Sequence, residues 1–364
     1  MSAILTPVGL LLIILAGYLF KRFGLFGQKD YRVLQTAEFN IVLPGAIVYS
    51  FATNPHDISL LLISVFAFLF AFIPVVFIFL ATRKRNVTDR AFLMLNGAGF
   101  NLGCFSFPVV QSFWGAGAVV PAAMFDIGNC VMVAAGTNVL TQQLLHIQPG
   151  KTLAEQHAGS APTLPYEKPK DRDAKRLARR ALLRTIGKSF FGSVPFDTYL
   201  LMIVLTVANV KIPDWIASIT QPLSGANALV SMLMVGMLMD LPQSKHDVKE
   251  VMAVIAWRIP FSVAFALIAW FLLPFSASIR AVMVICALAP IAIFSTLFTD
   301  EVLGNARLAG FTLSVSAVIS LGMMTGAHAM IAAGIIEGSG WRMGYVFYAL
   351  ATLITCLPLA VLFI

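Results

Sequence analysis

Charged residues are scarce in this 364-residue chain: they make up 12% of it, whereas hydrophobic residues make up 59%. A soluble domain carries roughly 25% charged residues, so this composition excludes a chain whose whole surface faces water. The apolar residues lie in runs of about 17 to 25 residues, the length that a helix needs to cross a hydrocarbon core. The sequence lacks the alternating segments of about ten residues that are typical of a membrane β-barrel. The composition therefore predicts an all-α polytopic membrane protein.

Cysteine is also scarce, and its placement excludes further classes. The four cysteines (Cys104, Cys130, Cys286 and Cys356) lie inside apolar runs without paired spacing, which argues against a disulfide framework or a metal site. The sequence has no G-x-x-x-x-G-K-[ST] phosphate loop and no nucleophile elbow. We therefore predict no cofactor, no metal, no enzymatic activity and no ATP-driven pumping by this chain.

Eleven apolar runs are candidate membrane spans, and we number them 1 to 11 along the chain. Their approximate bounds are 3–20, 33–52, 58–82, 90–112, 117–145, 194–210, 220–240, 250–273, 279–298, 305–334 and 342–363. Span 1 has no basic residue before it and is followed by Lys21 and Arg22, which is the reverse of a secretory signal. We expect a retained first helix with its N-terminus outside the cell.

The net charge of +8 reflects 25 basic residues that collect between the spans. If the loop after span 1 is cytoplasmic, 21 of the 25 lie in cytoplasmic segments, and only Lys211, Arg280 and Arg342 lie outside; Arg258 lies within span 8. Basic loops mark the cytoplasmic side of a membrane protein. The distribution thus predicts a multi-pass protein of the cell membrane and argues against nucleic acid as a partner.

One clear linker, residues 146–192, separates two halves of the chain. The linker is rich in proline, lysine and arginine, and its first part has the composition of a disordered segment. The stretch 171–188 fits either a basic amphipathic helix on anionic headgroups or a solvated connector. The predicted organisation is a first five-helix repeat (1–145), the cytoplasmic linker, a second five-helix repeat (193–334) and an additional C-terminal helix (335–364).

The two halves resemble each other weakly. "RAFLMLNGAGFNLGCFSFPVVQSFWG" in span 4 resembles "RAVMVICALAPIAIFSTLFTDEVLG" in span 9, and Pro290 lies at the position equivalent to Phe100. Because five spans is an odd number, the second copy crosses the membrane with inverted polarity. Broken backbone at membrane depth is tolerated only where it is buried in protein or lines a wet cavity. We therefore predict two crossed, broken helices, which are typical of secondary transporters.

At these motifs the sequence resembles the auxin efflux carrier family, which includes plant PIN-type carriers and bacterial permeases. The resemblance covers about residues 3–334 and is carried by "GYLFKRFGLF", "FNIVLPGAIVYSF", "NGAGFNLGCFSFPVV", "FDIGN" and "LAPIAIFSTLF". It implies a scaffold domain (spans 1, 2, 6 and 7), a transport domain (spans 3–5 and 8–10) and an elevator-like movement between them. It also implies a substrate beside the crossing, where Asn101 and Pro290 match a crossover asparagine and proline. Phe100 and Ile291 depart from the family pattern and predict a site that is more apolar on one side.

Polar and helix-breaking residues of the spans are the candidate substrate contacts. Asn101 is the first candidate, because its amide can donate to a carboxylate while half-helix N-termini offer partial positive charge to the same anion. Its alternative role is to satisfy carbonyls that the break leaves free. The complete set of candidates is Asn101, Asn96, Gly103, Ser106, Pro108, Asn40, Asn227, Pro290, Ile291, Ser295 and Thr296.

Two residues of span 5 are candidates for ion or proton coupling. Asp126 and Asn129 lie one turn apart on one face, and an acid within a span often marks such a route. Alternatively, Asp126 lies near the membrane interface and needs no such role. Other acids, namely Glu38, Asp240, Asp300 and Glu301, lie near span ends, where we expect them to be solvated. His328 in span 10 is either a proton carrier or simply a hydrogen-bonded histidine.

Secondary transport of a small organic anion, a carboxylate, is the leading functional prediction. A channel for small solutes would share the helical bundle but needs no inverted repeat. An intramembrane enzyme or sensor would need clustered acids or histidines deep in the spans, which this sequence does not have. The expected partners are the anionic substrate, membrane lipids and a second copy of the chain in a homodimer.

Overall fold

The computed structural model describes residues 2–54, 57–165 and 193–334, and the single residues 176, 180 and 187. Every regular element in these ranges is helical, which confirms the predicted fold class. Span 11, which is the predicted additional C-terminal helix, lies outside the described residues. Most of the stretch 171–188 lies outside them too.

Eight of the first ten spans are helices without an irregular break. Their bounds are Ser2–Arg22 for span 1, Tyr31–Ala37 and Leu43–Thr53 joined by the π turn Glu38–Val42 for span 2, Leu61–Ala81 for span 3, Val119–Val131 and Thr137–Leu145 joined by the π turn Met132–Gly136 for span 5, Val194–Val207 for span 6, Asp214–Leu238 for span 7, Lys245–Phe271 for span 8 and Ala306–Ala332 for span 10.

Several of the described helices are long and apolar enough to cross a membrane. Five qualify, namely Ile58–Ala81, Ala116–Leu145, Asp214–Leu238, Lys245–Phe271 and Ala306–Ala332, and Ala116–Leu145 in span 5 is the most completely buried of them. Their number confirms the prediction of a polytopic membrane protein. Burial of span 5 also places its polar residues in the protein interior.

Spans 4 and 9 are interrupted at the places that the sequence predicted. Span 4 ends its first helix at Asn96 and resumes at Leu102, and span 9 is irregular between Ala287 and Ile293; the pieces are Val87–Asn96, the π turn Leu102–Ser106, Phe107–Trp114, Ala277–Ala287 and Ile293–Leu303. Gly99 has a φ angle of +77°, which residues with a Cβ atom rarely adopt, and it explains the first break. Pro290 has no N–H group to continue a helix, and it explains the second. The inverted polarity of the two halves stays a prediction.

Small residues allow the closest helix contacts. Span 7 packs on spans 1 and 2, and span 3 packs on span 5. A Cβ atom on Gly236 would lie 3.0 Å from the backbone nitrogen of Tyr18, and one on Gly128 would lie 2.8 Å from that of Phe68. Helices in a membrane associate through such small residues, because lipid provides no hydrophobic driving force between them.

The first part of the linker, residues 146–165, is packed against the helix ends, so the prediction of disorder there was wrong. Leu153 and Leu164 are buried. Their backbone N–H groups donate to the carbonyls of Val302 (2.8 Å) and Leu145 (3.1 Å), respectively. These contacts offset the conformational entropy that composition alone suggested would dominate. We call the end of the molecule where this segment lies the linker side.

Replacing Gly128 by alanine is expected to destabilise the protein, because the new Cβ atom would lie 2.7 Å from the carbonyl carbon of Ser64. Overpacking of this kind typically costs about 1–3 kcal/mol, which would lower the apparent Tm of the detergent-purified protein. Gly322→Ala in span 10 is the matched control, since a Cβ atom there has nothing within 4 Å. Equal Tm values for the two variants would contradict this account of the packing.

Candidate functional site

The two broken spans meet at their breaks and share a backbone hydrogen bond. The N–H group of Asn101 donates to the carbonyl of Pro290 at 3.0 Å. Helix ends leave backbone groups without intrahelical partners, and lipid cannot satisfy them. Each break therefore supplies a partner that the other one lacks.

Polar side chains of the following spans satisfy further backbone groups of the breaks. Asn129 of span 5 accepts from the N–H of Phe100 (2.9 Å) and donates to its carbonyl (2.8 Å). Ser316 of span 10 has the corresponding role in the second half, because its hydroxyl accepts from the N–H of Ile291 at 3.0 Å. An unpaired backbone group in this interior would cost several kcal/mol, so these side chains hold the crossing together.

Asp126 lies in the interior of the protein and is held by two donors. Its side chain receives hydrogen bonds from the Asn129 amide (2.9 Å) and from the Tyr199 hydroxyl of span 6 (2.7 Å). Asp126 is 5% exposed and Tyr199 is 1% exposed. Asp126 is therefore buried within the helical bundle and bonded to two neighbouring side chains.

Arg258 of span 8 is a buried cation at the crossing. One guanidinium nitrogen donates to the carbonyls of Ala289 (2.8 Å) and Pro290 (2.9 Å), which follow the first helix of span 9. The guanidinium carbon lies 5.3 Å from the centre of the Phe100 ring, within the range of a cation–π contact. The partial negative charge of a helix C-terminus favours a cation at this place. No described carboxylate lies within ion-pair distance of Arg258.

A small cavity of about 50 Å³ lies beside the crossing, and we call it the crossing cavity. Four of the predicted site residues line it together: Asn101, Gly103, Asp126 and Asn129. Spans 2, 6 and 9 complete its wall with mainly apolar side chains, among them Phe39, Leu43, Phe196, Ile293 and Phe294. This volume holds only a few water molecules.

The Asn101 amide is not fully used by the fold. Its Nδ2 atom is buried and has no hydrogen-bond partner among the described groups. A buried donor without a partner is costly and rare in native proteins. This donor belongs to a residue that lines the crossing cavity.

Other predicted contacts are buried near the crossing but are used by the fold. The Asn96 amide donates to the Thr299 hydroxyl of span 9 at 2.9 Å. The Ser106 hydroxyl donates to the carbonyl of Asn101 at 3.4 Å, and the Thr296 hydroxyl bonds back within its own helix. The remaining buried candidates of spans 4 and 9 do not line the cavity; they are Pro108, Pro290, Ile291 and Ser295.

The asparagines of spans 2 and 7 occupy different environments. Asn40 is exposed and donates to the carbonyl of Thr36 at 2.8 Å. Asn227 is 0% exposed, neither of its amide atoms has a partner in the described structure, and it lies outside the crossing cavity. The structure therefore does not bring this pair together with Asn101.

Two of the acids expected to be solvated are not. Glu38 is 0% exposed, so that expectation was wrong; the π turn in span 2 directs it inward. Asp240 is half-buried and forms an ion pair with Lys21 at 3.4 Å. Asp300 and Glu301 are exposed, as expected.

His328 of span 10 packs between aromatic rings. Its ring centre lies 4.0 Å from that of Phe113 and 5.0 Å from that of Trp114. This stacking accounts for its position in the fold, and the crossing cavity does not include it.

A second cavity of about 230 Å³ opens on the linker side, and we call it the basic vestibule. Its charged lining residues are Lys21, Lys29, Arg32, Arg307, Asp240 and Asp300. Thr296 also lines it, about one helical turn from Ile293 of the crossing cavity. The rings of Phe39 and Phe294, which both line the crossing cavity, stack with their centres 5.7 Å apart.

Sequence reasoning missed four residues that shape this site. Arg258 and Glu38 carry a detectable signal, because an ionisable residue inside an apolar run is a candidate for function by default. Tyr199 and Ser316 carry no such signal. A tyrosine does not stand out within an apolar run, and a serine in a membrane helix commonly bonds back to its own turn. Only the packing of distant spans shows their partners.

Asn129→Ala is expected to destabilise the protein by about 2–4 kcal/mol, because it leaves both backbone groups of Phe100 unpaired at roughly 1–3 kcal/mol each. The measurement is the apparent Tm in detergent. Asn40→Ala is the matched control, since Asn40 is exposed and bonds only within its own helix. A Tm loss no larger than that of the control would show that Asn129 does not hold the break.

Comparison with known proteins shows the family to which the chain belongs. The family described as membrane transport protein matches residues 3–327. An uncharacterized transporter from Methanothermobacter thermautotrophicus is 24% identical over 321 residues, which cover 87% of this chain and 94% of that protein. Both findings agree with the helical bundle and with the motifs of spans 1, 2, 4, 5 and 9. The chain therefore belongs to the membrane transport protein family, the auxin efflux carrier family that those motifs indicate.

Proposed function

We propose that this protein is a secondary transporter that moves a small organic anion, a carboxylate, across the cell membrane. The observation that carries the proposal is the unpartnered Nδ2 donor of Asn101 at the crossing cavity. A carboxylate oxygen is a suitable acceptor, because hydrogen bonds to a charged group are shorter and stronger than neutral ones. Family membership supports the transporter class.

The electrostatics of the crossing favour an anion. Leu102 and Ile293 begin the second helices of the broken spans and line the cavity, so partial positive charge of two helix N-termini is directed at it. Arg258 adds a full positive charge that no described carboxylate neutralises by direct contact. The nearby acid, Asp126, already receives hydrogen bonds from two donors.

The distribution of polar and apolar contacts supports an elevator-like movement. Hydrogen bonds at the crossing join spans 4, 5, 8, 9 and 10, and directional bonds of this kind make a rigid body. Contacts from span 2 are apolar there: Leu43 packs over Gly103, and Phe39 stacks on Phe294. Spans 3–5 and 8–10 would slide past spans 1, 2, 6 and 7. The hydrogen bonds that join the two groups, Tyr199–Asp126 and Gln111–Ser224 among them, would break during this movement.

The crossing cavity is small in this conformation, and we expect it to enlarge towards the basic vestibule when a solute binds. Ligand pockets usually measure about 300–1,000 Å³, far more than this cavity offers. Separation of Phe39 from Phe294 would join it to the vestibule, whose excess of basic residues concentrates anions. By the positive-inside rule, the vestibule faces the cytoplasm.

A channel for small solutes is the alternative function. Saturable flux and counterflow in proteoliposomes would support the carrier. Non-saturating conductance in a planar bilayer would favour the channel.

Asn101→Ala is expected to raise the KM for the transported carboxylate about tenfold, since a hydrogen bond to a charged group contributes about 1.5–3 kcal/mol. Initial flux is measured in proteoliposomes for acetate, lactate, malonate and succinate. The control is Asn138→Ala, because Asn138 lies in span 5 outside the crossing cavity. Unchanged KM in the Asn101 variant would refute the site assignment.

Arg32→Gln is expected to raise the KM of the same carboxylate about two- to fivefold at low ionic strength, because it removes a charge from the vestibule that steers the anion. The effect should disappear at about 0.5 M salt, where exposed charges are screened. Lys249→Gln, an exposed residue outside the vestibule, controls for the loss of one charge. A KM change that is independent of salt would exclude steering as the cause.

A further inference from the structure

Glu38 stands apart from the other acids of the described structure. It is 0% exposed, and neither carboxyl oxygen has a hydrogen-bond partner among the described groups. The ion pair found in those groups joins Lys21 and Asp240, so Glu38 has no described cation beside it either. An ionised carboxylate without water, a donor or a cation is strongly disfavoured. Glu38 therefore carries its proton in this conformation.

The π turn of span 2 directs Glu38 towards the crossing. The N–H of Leu43 donates to the carbonyl of Glu38, which brings these two positions onto one face of the helix. Leu43 lines the crossing cavity and packs over Gly103 of span 4. Cys104, the next residue along span 4, also lines the crossing cavity, as does Asp126 of span 5. The two acids thus approach the crossing from spans 2 and 5.

The two acids differ in what the fold requires of them. Asp126 receives a hydrogen bond from Asn129, whose amide also holds the backbone of Phe100, so a change in its charge would disturb the broken helix. Glu38 bonds to nothing that holds the crossing. It can therefore gain or lose a proton without breaking the structure.

Position along span 2 gives Glu38 a route to water. Glu38 lines neither cavity, but along span 2 it lies between Arg32, which lines the basic vestibule, and Phe39, which lines the crossing cavity. Separation of Phe39 from Phe294 would admit water between them and hydrate the carboxyl. Hydration removes the penalty on the ionised form.

The helices packed closest to the π turn do not supply a charge that bonds to Glu38. They are the flanking helices of span 2, Val194–Val207 of span 6 and Asp214–Leu238 of span 7. Their titratable residues are Tyr31, Arg32, Tyr49, Asp197, Tyr199 and Asp214, and no hydrogen bond or ion pair joins any of them to Glu38. Tyr199 is bonded to Asp126. Water access, rather than a fixed partner, thus controls the protonation of Glu38.

We propose that Glu38 binds the coupling proton of this carrier, an inference that rests on the proposed anion transport. When Glu38 is protonated it is neutral, so an anion can bind at the crossing and the spans can close around the anion. When the crossing opens, the O–H bond of the carboxyl breaks, the proton passes to water and the carboxylate keeps the electron pair. The resulting negative charge repels the anion and promotes its release. A proton and an anion therefore cross together.

The test compares wild-type protein with Glu38→Gln in proteoliposomes, using the carboxylate with the highest flux among acetate, lactate, malonate and succinate. Uptake is driven by an imposed pH gradient, and a trapped pH-sensitive dye reports proton entry. Counterflow of labelled against unlabelled carboxylate is measured without a gradient. Glu301→Gln is the matched control, because Glu301 is exposed.

In wild-type protein and in Glu301→Gln, the pH gradient is expected to raise uptake at least fivefold and to bring protons in with the anion. Glu38→Gln is expected to keep counterflow within about twofold of wild type and to lose both gradient-driven uptake and proton entry. Glu38→Asp, which retains a carboxyl, is expected to keep the coupling. This pattern would establish Glu38 as the proton-binding group.

Three results would overturn the inference without contradicting the proposed anion transport. Gradient-driven uptake with proton entry in Glu38→Gln would show that the proton binds elsewhere. Loss of counterflow in Glu38→Gln would assign Glu38 a structural or substrate-binding role. Wild-type protein that shows counterflow but no uptake driven by the pH gradient would exclude proton coupling. The proposed anion transport would stand in that case. Absence of carboxylate counterflow in wild type would instead refute the proposed function, and the inference with it.

Discussion

Two interrupted helices can lie in the interior of a membrane protein only if their freed backbone groups find partners within the protein, because lipid provides none. In this chain the N–H of Asn101 and the carbonyl of Pro290 satisfy each other across the crossing. Asn129 satisfies both backbone groups of Phe100, and Arg258 bonds to the carbonyls at the second break. These bonds tie five spans into one unit, and the position of the cavity follows from them.

The hydrogen bonds at the breaks use some of the buried polar side chains and leave others without a partner. Asn129 and Asn96 are occupied by bonds that hold the breaks and the contact between spans 4 and 9. The Nδ2 atom of Asn101 and the carboxyl of Glu38 have no partner in the described structure. Unpaired buried groups are costly, and an ionisable or polar group of this kind within a membrane protein is a candidate for binding a solute or an ion. The proposed anion site and proton site are assigned on this physical basis.

The two halves of the crossing differ in polarity. Span 4 lines the cavity with residues that include the polar Asn101, whereas span 9 lines it with Ala292, Ile293 and Phe294. In span 9 the polar partners, Ser316 and Arg258, bond to the backbone from neighbouring helices and leave an apolar face. This arrangement agrees with the expectation of a site that is apolar on one side.

The sequence by itself determined the fold class, the family and the positions of both breaks, because apolar runs, Gly99 and Pro290 act through local physics. It also identified Asn101, Asp126 and Asn129, since polar residues are conspicuous within apolar runs. The tertiary structure decided which of these side chains are free and which are bonded. It buried Glu38, which looked solvated near a span end, and it paired Asp126 with Tyr199, 73 residues away along the chain. It also packed the linker segment that composition assigned to disorder. Such outcomes depend on which distant helices touch, and no local pattern records that.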